Sequence, residues 1–298
     1  MRVLIAGATG LIGTALVQFL GSTGHEVRRL VRGERVEDSD ISWDPAHGGV
    51  SPSSFEGFDA AVCLSGAGIA DERWSPARKA LLRDSRVETL ALMARTLAKC
   101  EAKPECLICA SATGFYGADR GAEVLTDDSP AGTDFLARLC REWEDAATPA
   151  MAAGIRVAHI RFGIVLSSEG GALKKMLLPF RLGLGGKIGS GRQYMSWLTL
   201  DDAIGIVDYA IQMETIAGSV NAVAPYPVTN EEFTRALGAA LHRPAVARVP
   251  AIILRAAMGE MSGLLLGSSR VYPRRLEATG FGFRHPMIDE ALRDILAA

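Results

Sequence analysis

No stretch of this chain carries the roughly 20 consecutive apolar residues that a membrane-spanning helix requires. Charge of one sign is missing as well. The 32 Lys and Arg stand against 34 Asp and Glu, and a net charge of −2 offers no basic face to nucleic acid or an anionic membrane. No signal peptide is visible ahead of the first apolar run, so a cytoplasmic location is expected, with neither nucleic acid nor membrane as partner. Histidine is sparse: positions 25, 47, 159, 242 and 285 have no metal-ligand spacing, and no metal is expected. A disulfide framework is lacking too, since the cysteines number five, at 63, 100, 106, 109 and 140. Cys106 and Cys109 have redox C-x-x-C spacing but lie in an apolar, strand-like run. Residues three apart on a strand face opposite sides, so these thiols cannot meet. The cysteines read as small buried apolar residues.

What is present is ordinary globular composition, 48% hydrophobic and 22% charged over 298 residues. That length holds one large α/β domain, or a cofactor domain with a smaller companion. The first 32 residues organise the rest. An apolar run, Val3-Leu4-Ile5-Ala6, leads into Gly7-Ala8-Thr9-Gly10-Leu11-Ile12-Gly13, and an apolar-periodic run with Leu16, Phe19 and Leu20 follows. The reading is strand, glycine turn, helix. Gly7 permits the sharp exit from the strand, Gly10 lets a pyrophosphate approach the backbone, and Gly13 permits close packing of helix on sheet. A diphosphate would then sit on the helix N-terminus, where free N–H groups and the dipole favour an anion. The turn therefore predicts dinucleotide binding by Gly7, Thr9, Gly10, Leu11, Ile12 and Gly13.

The second strand indicates which dinucleotide. An NAD site places an acid at that strand end to accept from the ribose hydroxyl. Here the end reads Leu30-Val31-Arg32-Gly33, with no acid between Val27 and Arg32. Arg32 suits a 2′-phosphate instead, and NADP(H) is the expected cofactor. Further on, Ala60-Ala61-Val62-Cys63-Leu64-Ser65-Gly66 repeats the apolar strand followed by small residues, which places Leu64, Ser65 and Gly66 at the cofactor. A helix over 75–99 carries Arg86 on the approach to the sheet. A strand at 106–110 runs into Ser111-Ala112-Thr113-Gly114-Phe115-Tyr116-Gly117, a helix is expected over 134–153, and a strand over 156–161. Such alternation predicts a Rossmann-type, doubly wound parallel sheet. A last sheet strand is expected over 219–223. Beyond Gly163 the texture changes, and residues 183–191 hold five glycines that suggest a hinged lid. The expected division is a cofactor domain of residues 1–166 plus 196–224, and a smaller C-terminal substrate domain woven from 167–195 plus 225–298.

The glycine turn, the strand ending Ser111-Ala112-Thr113-Gly114-Phe115-Tyr116-Gly117, and Ser196-Trp197-Leu198-Thr199-Leu200-Asp201-Asp202 resemble the extended, sugar-nucleotide-epimerase-like branch of the short-chain dehydrogenase/reductase superfamily. Phe135-Leu136-Ala137 with Trp143-Glu144, Leu178-Pro179-Phe180-Arg181-Leu182-Gly183-Leu184-Gly185-Gly186, and Asn221-Ala222-Val223-Ala224-Pro225 are similar to its atypical "epimerase family protein" subgroup, whose reaction is unassigned. The resemblance runs almost end to end. It implies NADP(H), a substrate site between the sheet and the C-terminal domain, and cofactor contacts at Arg32, Leu64, Ser65 and Arg86.

One departure stands out. Active members of that superfamily generally use Tyr-x-x-x-Lys, in which the lysine lowers the phenol's pKa for proton exchange with the substrate. The residues four beyond the five tyrosines are Arg120, Leu198, Met213, Asn230 and Leu276, and none is lysine. Ser111 then offers a hydroxyl to polarise a carbonyl. Tyr116, with Arg120 four residues on, is either a catalytic phenol or a packed turn residue. Glu144 reads as structural. Three readings remain open: an NADP-dependent oxidoreductase or isomerase acting on a small molecule, with nucleotide sugars among the candidates; a non-catalytic NADPH-binding module that senses redox state; or a Rossmann protein for another nucleotide, which would not bind NADPH. Oligomeric state is left open.

Overall fold

Val3, Leu4, Ile5 and Ala6 are each wholly buried, as are Ala60, Ala61 and Val62, because parallel strands covered on both faces form unbroken apolar runs. A computed structural model describes residues 1–33, 40–47 and 49–297. Residues 34–39, 48 and 298 lie outside the described residues. Seven strands make the central sheet: β1 (Arg2–Ala6), β2 (Glu26–Arg32), β3 (Asp40–Trp43), β4 (Ala60–Cys63), β5 (Cys106–Ala112), β6 (Arg156–Phe162) and β7 (Gly218–Ala222). Their order is β7-β6-β5-β4-β1-β2-β3, and every pairing is parallel. The chain moves outward from β1 in one direction through β2 and β3, and in the other through β4 to β7. Right-handed crossovers in opposite directions place the connecting helices on opposite faces, which is the doubly wound α/β arrangement expected.

The helices that flank the sheet begin where local chemistry allows. Ser75 caps α2 (Pro76–Ala98) by accepting from the Arg78 N–H, with Pro76 in the first turn, where its missing N–H does no harm. Asp134 caps α3 (Phe135–Asp145) in the same way, through the Ala137 N–H. The single helix expected over 134–153 is in fact two. After Asp145 the chain restarts as α4 (Thr148–Ala152), because Pro149 cannot donate the bond that would continue α3. α1 (Leu11–Ser22) packs beside α6 (Leu200–Gln212), while α2 packs with α3 and α4.

A second core lies beyond the sheet. α5 (Gly171–Arg181), α7 (Asn230–Ala240) and the helix Ile288–Ala297 bring Leu173, Leu177, Phe180, Phe233, Leu237, Ile288 and Leu292 together around Leu166 and Trp197. Thr229 and Glu232 form a reciprocal capping box at the start of α7.

The glycine-rich segment 183–191 is not a free lid. Gly186–Ile188 pairs as a strand with Ala247–Val249. A Cβ at Gly186 would meet the Ala247 carbonyl oxygen at 1.9 Å, so glycine is required for close approach of two strands. Gly189 N–H donates to the Val249 carbonyl, and Ile188 N–H donates to Asn230 Oδ1. Gly183, Gly189 and Gly191 adopt positive φ, so they turn the chain at fixed points. Amide exchange at Ile188 and Gly189 is therefore expected to be slow in the ligand-free protein and little changed by cofactor. Exchange at the rate of an open loop would restore the hinged lid.

Candidate active site

β1 lies between β2 and β4, whose crossovers depart in opposite directions, so a crevice opens at the carboxyl ends of β1 and β4. The two strand exits touch there. A Cβ on Gly7, which has φ +81°, would lie 2.6 Å from the Leu64 carbonyl carbon. A Cβ on Gly13 would lie 2.1 Å from the Gly7 oxygen. A Cβ on Gly10, by contrast, would make only an ordinary contact with the Gly7 oxygen at 3.5 Å, and α1 begins with no side-chain cap and no acid in its first turn. The first-turn N–H groups therefore have no local anion competing for them.

From this point a cleft of about 590 Å³ runs between the sheet and the second core. Of the sequence-predicted residues, Gly7, Gly10, Leu11, Ile12, Gly13, Leu64, Ser65, Gly66, Arg86 and Ser111 all line it. Thr9 and Arg32 are exposed and lie outside the lining, with Arg32 at the outer end of β2. The Arg86 guanidinium donates to the Leu82 and Ala67 carbonyls and lies 5.2 Å from the Trp143 ring. Burial pulls it below the ordinary arginine value. Arg29, also on β2, is ion-paired to the buried Asp40 at 2.7 Å.

Ser111, one residue before the end of β5, lies at the cleft wall, and it is only 3% exposed. Its hydroxyl donates to Glu144 Oε1 at 2.6 Å. Glu144 is held from the other side by Arg161, whose Nε and Nη2 donate to the two carboxylate oxygens, each at 2.8 Å. Arg161 sits near the carboxyl end of the buried strand β6, with its guanidinium 3.4 Å from the Phe115 ring centroid. Glu144 is thus more than a packing residue, since it accepts from both Ser111 and Arg161. Sequence reasoning missed this pair. The available signal was an arginine inside a buried strand, which requires a partner.

Of the two readings of Tyr116, the structure bears out the packed turn residue and not the catalytic phenol. It is fully buried and absent from the cleft lining. Its hydroxyl lies 2.6 Å from Asn221 Oδ1 and 2.9 Å from the Thr126 carbonyl, and accepts from Arg161 Nη1. The cation beside the phenol is therefore Arg161. Arg120 reaches only the Tyr116 carbonyl and pairs with Glu123. Burial raises the Tyr116 pKa despite Arg161, so the phenol keeps its proton. The phenol-bearing residue that does line the cleft is Tyr194, with Arg270 4.9 Å from its ring centroid. It follows the glycine-rich segment and comes to the site only through the tertiary fold.

α3 turns Leu136, Leu139, Cys140 and Trp143 to the cleft. Leu136 and Cys140 are four apart on that face, and neither offers an acid–base group at neutral pH. Burial pushes the Cys140 thiol up to about 12. All five cysteines are buried and free, as small apolar residues would be. Among the described residues, no group of three or more His, Cys, Asp or Glu side chains is placed to hold a metal ion. No helix among them is long and apolar enough to cross a membrane.

Comparison with known proteins gives this geometry a setting. The sequence pattern of the NAD dependent epimerase/dehydratase family matches residues 3–222, and a domain of unknown function matches residues 249–295. An epimerase family protein of Mycobacterium bovis is 44% identical over 292 residues, covering 97% of this chain and 96% of its own. The crystal structure of human epimerase family protein SDR39U1 with NADPH superposes with a TM-score of 0.91 at 37% identity, covering 100% of this chain and 99% of its own. A nucleoside-diphosphate sugar epimerase from Corynebacterium glutamicum gives a TM-score of 0.84 at 37% identity, covering 99% of this chain and 58% of its own.

The buried network sets a clear order of mutational cost. Glu144→Ala leaves Arg161 desolvated without its carboxylate and is expected to lose about 3–5 kcal/mol of stability. Ser111→Ala removes one of several bonds to Glu144 and is expected to lose about 1 kcal/mol. Urea denaturation of the two variants checks this, and comparable losses for both would show that the ion pair is effectively solvated.

Proposed function

The chain belongs to the NAD dependent epimerase/dehydratase family, and on that premise we propose that it is an NADP(H)-binding oxidoreductase or epimerase-like protein acting on a small molecule. The observation that carries this reading is the uncapped start of α1 facing the cleft, with Gly7 and Gly13 fixing the turn and Gly10 leaving it open. Those residues fit a dinucleotide diphosphate. Leu64, Ser65 and Gly66 form the opposing wall, and Arg86 closes it behind Gly66. Arg32, at the end of β2, is assigned to the 2′-phosphate. The human relative, whose crystal structure is with NADPH, supports that choice. When bound, a nicotinamide accepts or delivers hydride, and the chain must manage the accompanying proton.

Ser111 and Glu144 supply that function. The Ser111 proton is committed to Glu144, so toward a ligand the serine presents lone pairs. It therefore suits a substrate hydroxyl better than a carbonyl, which reverses the polarising role that sequence alone suggests. A substrate O–H proton passes to Ser111 as the serine's own proton moves to Glu144. Ser111 touches the substrate, while Glu144 acts through it as a positioning residue and proton acceptor. Return of the proton along the same path serves the reverse direction.

A second reading is favoured by the apolar face of α3, where Leu136 and Cys140 occupy the cleft wall. On that reading the protein binds NADPH without turnover and signals through it. Turnover assays with NADP+ and NADPH against a panel of secondary alcohols, ketones and UDP-sugars separate the two. NADPH bound tightly and no turnover with any of them would favour the second.

Two outcomes are expected. Arg32→Ala should weaken NADPH by roughly tenfold, allowing for solvent screening, and leave NADH nearly unchanged. Fluorescence titration checks it, and equal losses for both cofactors would remove Arg32 from the 2′-phosphate. Ser111→Ala should slow any turnover by roughly 10²-fold or more, with NADPH affinity preserved. Turnover that survives this change would leave the serine without a role.

A further inference from the structure

The far half of the cleft is built differently from the half that meets α1. Its walls are Leu136, Met176, Ile188, Met195, Leu264 and Leu265, drawn from α3, α5, the strand Gly186–Ile188 and the segments around 195 and 265. Among the described residues lining the whole cleft, Arg86 is the only charged side chain. It belongs to the cofactor half, since it packs against Gly66 and donates to the Ala67 carbonyl.

The polar groups that reach the far half are largely committed to the protein itself. Ser196 Oγ donates to the Ser269 carbonyl and accepts from the Val271 N–H. Asn230 accepts from the Ile188 N–H through Oδ1, and its amide nitrogen donates to Met195 Sδ. Backbone donors do not substitute for a cation here. The N–H groups of Asn230, Glu231 and Glu232, which open α7, are taken by the Gln193 carbonyl, the Gly191 carbonyl and Thr229 Oγ1. The start of α5 also borders the cleft, but Cβ atoms at Gly170 and Gly171 would meet the Leu11 side chain at 3.0 and 3.4 Å. That helix end therefore sits against the cofactor half.

We propose that the substrate is an uncharged, largely apolar small molecule bearing a single reactive oxygen at Ser111, and not a nucleoside-diphosphate sugar. A diphosphate placed among these side chains would leave charges in a largely apolar setting where the N–H groups that open α7 are already taken, and Arg270, the cation behind Tyr194, is outside the lining, at a cost of several kcal/mol. An apolar ring or chain gains from the same walls, about 25 cal/mol for each Å² removed from water. This inference rests on assigning the α1 half to the cofactor. It sets the chain apart from the sugar-nucleotide substrate named for the Corynebacterium relative. Ser111 at the cleft wall, with Glu144 behind it, is then the polar anchor of a largely apolar slot that Tyr194 also borders.

The test uses prodan, an uncharged naphthyl ketone whose emission shifts to the blue in apolar surroundings. It is titrated into the full-length protein, with and without saturating NADPH. Prodan is expected to bind with a blue shift, and millimolar UDP-glucose or UDP-N-acetylglucosamine is expected not to displace it. Leu265→Asp and Met176→Asp, on separate elements, should each weaken prodan by about tenfold or more by placing a charge in the slot. NADPH affinity, retained in both variants, reports that they are folded. Failure of prodan to bind, displacement by micromolar UDP-sugar, or indifference to both substitutions in folded protein would each overturn the proposal. Loss of NADPH binding by the wild type would sink the cofactor assignment alone, because prodan binding to the cofactor-free protein still reads the slot.

Discussion

Gly7 and Leu64 pass each other closer than any side chain permits, and much of the molecule is arranged around that contact. Two neighbouring parallel strands, β1 and β4, leave the sheet at the same level, and their chains part in opposite directions. A methyl group at Gly7 would collide with the Leu64 backbone, and one at Gly13 would collide with Gly7. The helix start is thereby held against the sheet while Gly10 remains open. A cofactor site results from steric necessity at two glycines and vacancy at a third, with no charged side chain in the turn. The rest of the sheet serves to hold β1 and β4 in register, through wholly buried strand residues that cannot shift without opening voids.

On the other side of the cleft, order is imposed by charge. Glu144 and Arg161 join α3 to the carboxyl end of β6, and Arg161 extends the connection to Tyr116 and the Asp127 carbonyl. Asp127 in turn accepts from the backbone N–H groups of Asn221 and Arg275. One buried pair thus ties a helix, two sheet strands and the C-terminal region into a single polar framework. Ser111 sits at the point where that framework meets the cleft. Buried networks of this kind are costly if partly satisfied and rigid when complete, and rigidity is what a hydroxyl that must hold one orientation requires.

The features legible in the sequence were local ones. The glycine turn, the apolar parallel strands and the caps at Ser75 and Asp134 are each specified within a few residues, so spacing alone places them. The break between α3 and α4 was legible in principle, because Pro149 marks it, but the strong apolar period of the segment obscured it. Glu144 and Arg161 lie 17 residues apart on different elements, and Tyr194 comes from a segment remote from β5. Tyr116 looked catalytic because it is close in sequence to Ser111; the 3-10 turn of residues 113–116 instead carries it into the core. The glycines of 183–191 suggested freedom because composition reports what a backbone can do. The partner strand at 247–249, distant in sequence, decides what it does.

The buried thiols bear on how this protein meets oxidants. Cys63 and Cys140 are pushed up to about 12 by burial, so on the order of one in 10⁵ of either is thiolate at pH 7. Peroxides and electrophiles react with the thiolate, which leaves these sulfurs nearly inert even where Cys140 borders the cleft. For the same reason, a ligand for this cleft would have to hold by shape and apolar contact, since Cys140 offers a poor handle for covalent capture.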